Sequence, residues 1–178
     1  MSLQLSINKK IYAKKSLGQN FIHNENFLNK LSNKIVSNSN TDIIEIGPGT
    51  GSLTDFLKSK DFNKLILIEK DTELSELLIS KYKHEKKVHV YNKDALTLNL
   101  TDISKSEEVI IVGNLPFNIS SQLFINWISY DRWPPFYKKM YLHLRQDNVH
   151  FFFYMCIFVN GCDCKMVNRL PNRTSLIF

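Results

Sequence analysis

Four short apolar runs recur along the chain, and each closes on a polar or glycine residue. Asp42-Ile43-Ile44-Glu45-Ile46 runs into Gly47-Pro48-Gly49-Thr50-Gly51, and Lys64-Leu65-Ile66-Leu67-Ile68 ends in Glu69. Val88-His89-Val90-Tyr91 is followed by Asn92-Lys93-Asp94, and Val109-Ile110-Ile111-Val112 by Gly113-Asn114-Leu115-Pro116-Phe117. Runs this short and apolar read as parallel strands covered on both faces. Between them the period becomes helical. Leu53 to Lys60 predicts a first crossover, Leu74 to Tyr82 a second with Leu74, Leu77, Leu78 and Tyr82 inward, and Ser120 to Ile128 a third with Leu123, Phe124, Trp127 and Ile128 inward. A helix from Glu25 to Val36 precedes them, a fifth strand is predicted at Met140 to Leu144, Lys81 to Lys87 reads as a charged, solvated turn, and Asp94 to Thr101 as an irregular connection. Alternating strands and helices predict an α/β fold, a mostly parallel sheet with right-handed crossovers and helices on both faces. Ligands bind such sheets at the carboxyl ends of the strands, where all four polar endings fall.

Composition narrows this little. The 178 residues give room for one domain with a real core, and 43% apolar with 22% charged residues is ordinary for a folded chain. A net charge of +6 suits a polyanionic partner, although lysine-rich faces are as often plain solvated surface. Residues 1–13 form a basic arm. All three cysteines, Cys156, Cys162 and Cys164, lie near the end, too few for a zinc site, so no metal is expected. No secretory signal opens the sequence, and the longest apolar run, Phe151 to Val159, is far short of the ~20 residues a membrane-spanning helix needs. A cytoplasmic setting, no membrane and a monomer are expected.

The strand endings suggest one ligand. Glycines at 47, 49 and 51 permit positive φ and close approach to the backbone. Glu69, ending the second run, could accept from both hydroxyls of a ribose, and Asp94, after the third, from the exocyclic amine of an adenine. The Gly-x-Gly-x-Gly spacing with Pro48 differs from the Gly-x-Gly-x-x-Gly of dinucleotide sites. Together these features describe an adenosyl group, S-adenosylmethionine in particular. Either carboxylate alone would equally suit capping a neighbouring helix. Lys70, beside Glu69, is expected to face solvent.

Asn114-Leu115-Pro116-Phe117 points to the reaction. An exocyclic base amine is a poor nucleophile because its lone pair is delocalised into the ring. An amide oxygen and a neighbouring main-chain carbonyl, both accepting from it, would draw it towards tetrahedral geometry. Pro116 biases Leu115 to an extended conformation that lets its carbonyl face the site, and Phe117 offers a ring on which an extruded base can stack. An ordinary Asn-x-Pro turn is the plain alternative.

Leu17-Gly18-Gln19-Asn20-Phe21, Glu45-Ile46-Gly47-Pro48-Gly49-Thr50-Gly51 and Gly113-Asn114-Leu115-Pro116-Phe117-Asn118-Ile119-Ser120 resemble the three signatures of the rRNA adenine N6-dimethyltransferases, over about Lys14 to Gln146. The resemblance implies a Rossmann-like S-adenosylmethionine-dependent methyltransferase fold over 14–146, acting on the small ribosomal subunit and its rRNA in ribosome biogenesis. It implies cofactor contacts from Asn20, Ile22, Gly47, Glu69, Asp94 and Asn114, and catalysis by Asn114, Leu115, Pro116 and Phe117. Leucine before Pro116 leans towards the small-subunit branch; Phe117 stands where tyrosine is usual in much of the family. After Gln146 the resemblance stops, and residues 147–178 form a non-matching hydrophobic tail. The family's last strands and C-terminal helical domain are therefore expected to be missing, the tail being either a truncated end or a substitute strand. An RNA-binding or assembly factor that keeps the fold without turnover is the other functional reading.

Overall fold

The structure, a computed structural model, describes residues 24–128, 137–146 and 149–156. The basic arm, Asn20, Ile22 and residues 157–178 lie outside them. Six strands form one sheet in the order β3-β2-β1-β4-β5-β6: β1 is Asp42–Ile46, β2 Lys64–Glu69, β3 Val88–Asn92, β4 Val109–Pro116, β5 Lys139–Gln146 and β6 Val149–Cys156. The first five are parallel and β6 is antiparallel to β5.

Side-chain alternation divides the core into two layers. Ile44, Ile46, Ile66, Ile68, Val109 and Ile111 face Leu123 and Trp127 of helix α4 (Phe117–Ile128). Ile43, Leu65, Leu67, Ile110 and Val112 face Leu28 and Leu31 of α1 (Glu25–Lys34), Leu53 and Leu57 of α2 (Ser52–Leu57), and Leu78 and Tyr82 in and just after α3 (Thr72–Lys81). Both faces of β1, β2 and β4 are thus covered, which is why these strands read as continuous apolar runs, whereas β3, expected to be covered on both faces as well, lies at the sheet edge half-buried with Tyr91 exposed.

Several boundaries differ from expectation by one to three residues, among them α2, α3 and β5, and three differences have a physical reason. Helix α1 stops at Lys34 because Ile35 turns extended, with φ −81° and ψ 109°; Ile35 is buried while Val36 is exposed. Helix α4 opens at Phe117, directly after the last residue of β4, and not at Ser120. Asn118 and Ser120 have turn chemistry, yet the strand passes into the helix with no loop between. In the tail, Val149–Cys156 takes the substitute-strand alternative, paired from Gln146↔Val149 to Lys139↔Cys156. Its Phe151-Phe152-Phe153-Tyr154 core has high strand propensity and no glycine or proline. The sheet therefore holds a sixth strand where its last strands were expected to be missing.

Candidate active site

The turn after β1 is built from left-handed residues: φ is 64° at Gly47, 60° at Gly49 and 82° at Gly51. Any other residue would be strained there. At Gly51 space is also short, since a Cβ there would collide with the Tyr82 hydroxyl, whereas one on Gly47 would stand in ordinary contact, 3.4 Å from Leu115 Cδ2. The turn is held from behind by the end of α3. Tyr82 donates its hydroxyl towards Gly51 O (3.0 Å) and Asp55 Oδ1 (3.1 Å), while Lys81 Nζ reaches Thr50 O (3.1 Å) and Asp55 Oδ2 (2.6 Å). Lys81, read from sequence as part of a solvated turn, and Tyr82, read only as apolar, are thus supports of the glycine turn.

Glu69 lies at the end of β2, 6% exposed. Gly49 N–H donates to its Oε2 (3.1 Å) and Asp71 N–H to its Oε1 (2.9 Å). Burial pushes its pKa up, and these two hydrogen bonds pull the other way. A carboxylate has about four acceptor sites, so these bonds do not exhaust its capacity for a ligand hydroxyl. Asp71 itself caps α3, accepting from Glu73 and Leu74 N–H. Glu45, beneath the turn and 2% exposed, accepts from Thr54 Oγ1 (2.7 Å), and burial pushes its carboxyl up to about 8. Asp94 is different. Lys70 Nζ lies 2.9 Å from its Oδ2 and Leu96 N–H donates to its Oδ1 (3.0 Å), and Lys70 foremost holds its carboxyl below the usual aspartate range. Lys70 is exposed, as expected, but it is not idle: its ammonium bridges the ends of β2 and β3. The capping alternative is also realised in part, since Asp94 closes its own turn and Glu69 orders Asp71.

Beside this pair stands the end of β4. The β1–β4 register sets Ile46 opposite Gly113, so Gly47 and Asn114 are neighbours across strands. A Cβ on Gly113 would come within 3.1 Å of Ile46 O. Leu115 is buried against the core beneath Gly47, and Asn114 Oδ1 lies 2.7 Å from Nδ1 of His143 on β5. His143 is 2% exposed and carried no signal in the sequence. Pro116 ends β4 and Phe117 opens α4. The order β3-β2-β1-β4 thus lines up Asp94, Glu69, Gly47 and Asn114 along one edge, with roughly 10 Å between the ends of β2 and β4 at two strand spacings. Asn20 and Ile22 fall outside the described residues.

Comparison with known proteins shows which family and fold the chain shares. Residues 11–150 match the family described as ribosomal RNA adenine dimethylase. A ribosomal RNA small subunit methyltransferase A of Bartonella quintana (strain Toulouse) is 36% identical over 140 residues, covering 77% of this chain and 50% of that protein. Among solved structures, a dimethyladenosine transferase from Plasmodium falciparum has a TM-score of 0.60 at 26% identity, over 71% of this chain and 44% of that one. The 23S rRNA methyltransferase ErmE shares the fold with a TM-score of 0.61 at 21% identity, over 72% and 49%. The chain spans about half the length of the curated relatives it matches. With the family matched from before the glycine turn to beyond the Asn114 strand, this chain belongs to the ribosomal RNA adenine dimethylases.

Proposed function

We propose that the chain binds S-adenosylmethionine through Gly47, Glu69 and Asp94, with Asn20 and Ile22 completing the site, and dimethylates N6 of adenines in small-subunit rRNA. One observation carries the reading: the register Ile46↔Gly113 puts the glycine turn and the amine motif side by side, with Gly47 against Leu115. The fit to an adenosyl ligand rests on the buried Glu69 carboxylate, which retains acceptor capacity beside a turn whose glycines leave the backbone approachable. When bound, the cofactor supplies an electrophilic methyl group on a sulfonium and needs no acid to release it.

The chain's own residues then act on the amine. In the first transfer Asn114 Oδ1 and the Leu115 main-chain carbonyl accept hydrogen bonds from its two N–H groups and free its lone pair, in the second the one remaining N–H has one of these acceptors, and each time the methylated nitrogen gives up a proton to water; Phe117 holds the extruded base by stacking, ~1–3 kcal/mol per base. Positioning for in-line attack supplies much of the barrier reduction. The net charge of +6 favours an RNA substrate. The test is transfer of labelled methyl groups to unmethylated small ribosomal subunits, with large subunits and free adenosine as controls. Label confined to small subunits, with transfer in Asn114→Ala falling far more than cofactor affinity, is the expected result. Cofactor binding and RNA binding without any transfer would instead favour an assembly factor.

A further inference from the structure

The contact between Asn114 and His143 has chemical direction. Strands β4 and β5 run parallel with Asn114 opposite His143, and both lie on the sheet face covered by α1, since Val112 and Tyr141, two residues earlier on each strand, pack with Leu28 and Leu31. Phe27 of α1 sets its ring 4.7 Å from the imidazole centroid, tilted by 58°. The imidazole is therefore fixed by the sheet and by Phe27, with Nδ1 2.7 Å from Asn114 Oδ1. A carboxamide oxygen has no proton to give, so a hydrogen bond between these two atoms requires the proton on Nδ1.

We propose that His143 is a positioning residue: its Nδ1–H donates to Asn114 Oδ1 and fixes which end of the carboxamide is the acceptor. Terminal amide torsions are broad and roughly two-fold. Without such a donor the group can turn over and offer its NH2, a donor, to an amine that is itself a donor. A carbonyl oxygen can accept two hydrogen bonds, so the bond from His143 does not by itself exhaust it. The role of His143 in catalysis rests on the methyl transfer proposed above; the direction of its hydrogen bond does not.

The experiment uses the full 178-residue chain and has two arms. Long-range 1H–15N correlation of the imidazoles, with His143 assigned from His143→Asn, should show the Nδ1–H tautomer, lost or weakened in Asn114→Ala. An Nε2–H tautomer with a bare Nδ1 would overturn the proposal. In single-turnover transfer to unmethylated small subunits, His143→Phe keeps a ring against Phe27 but no donor, and should slow transfer about tenfold with S-adenosylmethionine affinity and melting temperature nearly unchanged. His143→Asn, which returns an N–H near the Nδ1 position, should recover most of the rate. Equal losses in the two variants, no loss in His143→Phe, or a parallel fall in cofactor affinity would each overturn the positioning role. If the wild-type chain transfers nothing while the Nδ1–H tautomer persists, the proposed activity fails and the catalytic role fails with it, which the tautomer arm distinguishes from a wrong hydrogen bond.

Discussion

Glu45→Gln should make the protein more stable, increasingly so as pH rises from about 4.5 to 8. Glu45 is sealed under the glycine turn, and burial raises its carboxyl from 4.5 to about 8, with the nearby Asp55 and Glu69 carboxylates adding to the effect and the Thr54 hydroxyl opposing it. A folded-state pKa above the unfolded value means that the folded chain holds a proton the unfolded chain has released. Stability therefore falls with pH across that window and levels off above it. At about 1.4 kcal/mol per pH unit, the interval amounts to a few kcal/mol, on the order of 2–4 once relaxation of the site is allowed for. Glutamine has nothing to ionise and its carbonyl can still accept from Thr54. Urea unfolding of both proteins from pH 5 to 9 should show the variant gaining steadily to about pH 8 and holding its lead beyond. Glu69, also pushed up by burial, is present in both proteins and largely cancels in the difference. A pH-independent difference, or a wild type that gains on the variant as pH rises, would refute the assignment of a neutral, buried Glu45.

Other substitutions test the site from different sides. Gly51→Ala should destabilise by about 1–3 kcal/mol in urea unfolding, because φ is 82° and the new methyl meets the Tyr82 hydroxyl; the cost should shrink measurably in a Tyr82→Phe background. Lys70→Ala should let the Asp94 carboxyl titrate at higher pH, towards the ordinary aspartate value, as followed by carboxyl 13C NMR; an unmoved titration would mean the ion pair does not form in solution. Glu69→Ala should weaken S-adenosylmethionine binding by about tenfold or more in calorimetry, as expected for hydrogen bonds to a charged group worth ~1.5–3 kcal/mol.

The parts of this fold that were legible in sequence are those governed by local pattern. Strands β1, β2 and β4 are apolar on both faces, so their runs stand out without any knowledge of partners. Glycines 47, 49 and 51 announce a turn because left-handed backbone selects them. What stayed hidden depends on register between distant segments. Tyr82 looks like one more apolar position until its hydroxyl is seen against Gly51 O, across two helices and a strand of sequence. His143 could be found only by knowing that β5 pairs with β4 so that 143 faces 114. Lys70 looked free because its partner, Asp94, comes from the next strand. The tail was ambiguous for a related reason: strand propensity in Phe151 to Tyr154 is evident, but an edge strand forms only if the neighbouring edge is open to it.

The same register explains why Glu69 should not be read as a ligand-binding group alone. It joins the glycine turn to the start of α3 by accepting from Gly49 and Asp71, residues on the connections following β1 and β2. Removing it leaves two backbone N–H groups without their carboxylate partner, at about 1–3 kcal/mol for each that stays buried and unpaired. Loss of cofactor affinity in Glu69→Ala therefore mixes a missing acceptor with a loosened turn. Tyr82→Phe separates the two contributions, since it loosens the same turn from behind while leaving every Glu69 oxygen in place. A Tyr82→Phe chain destabilised to the same degree, yet binding S-adenosylmethionine nearly as well as wild type, would assign the affinity lost in Glu69→Ala to the carboxylate itself.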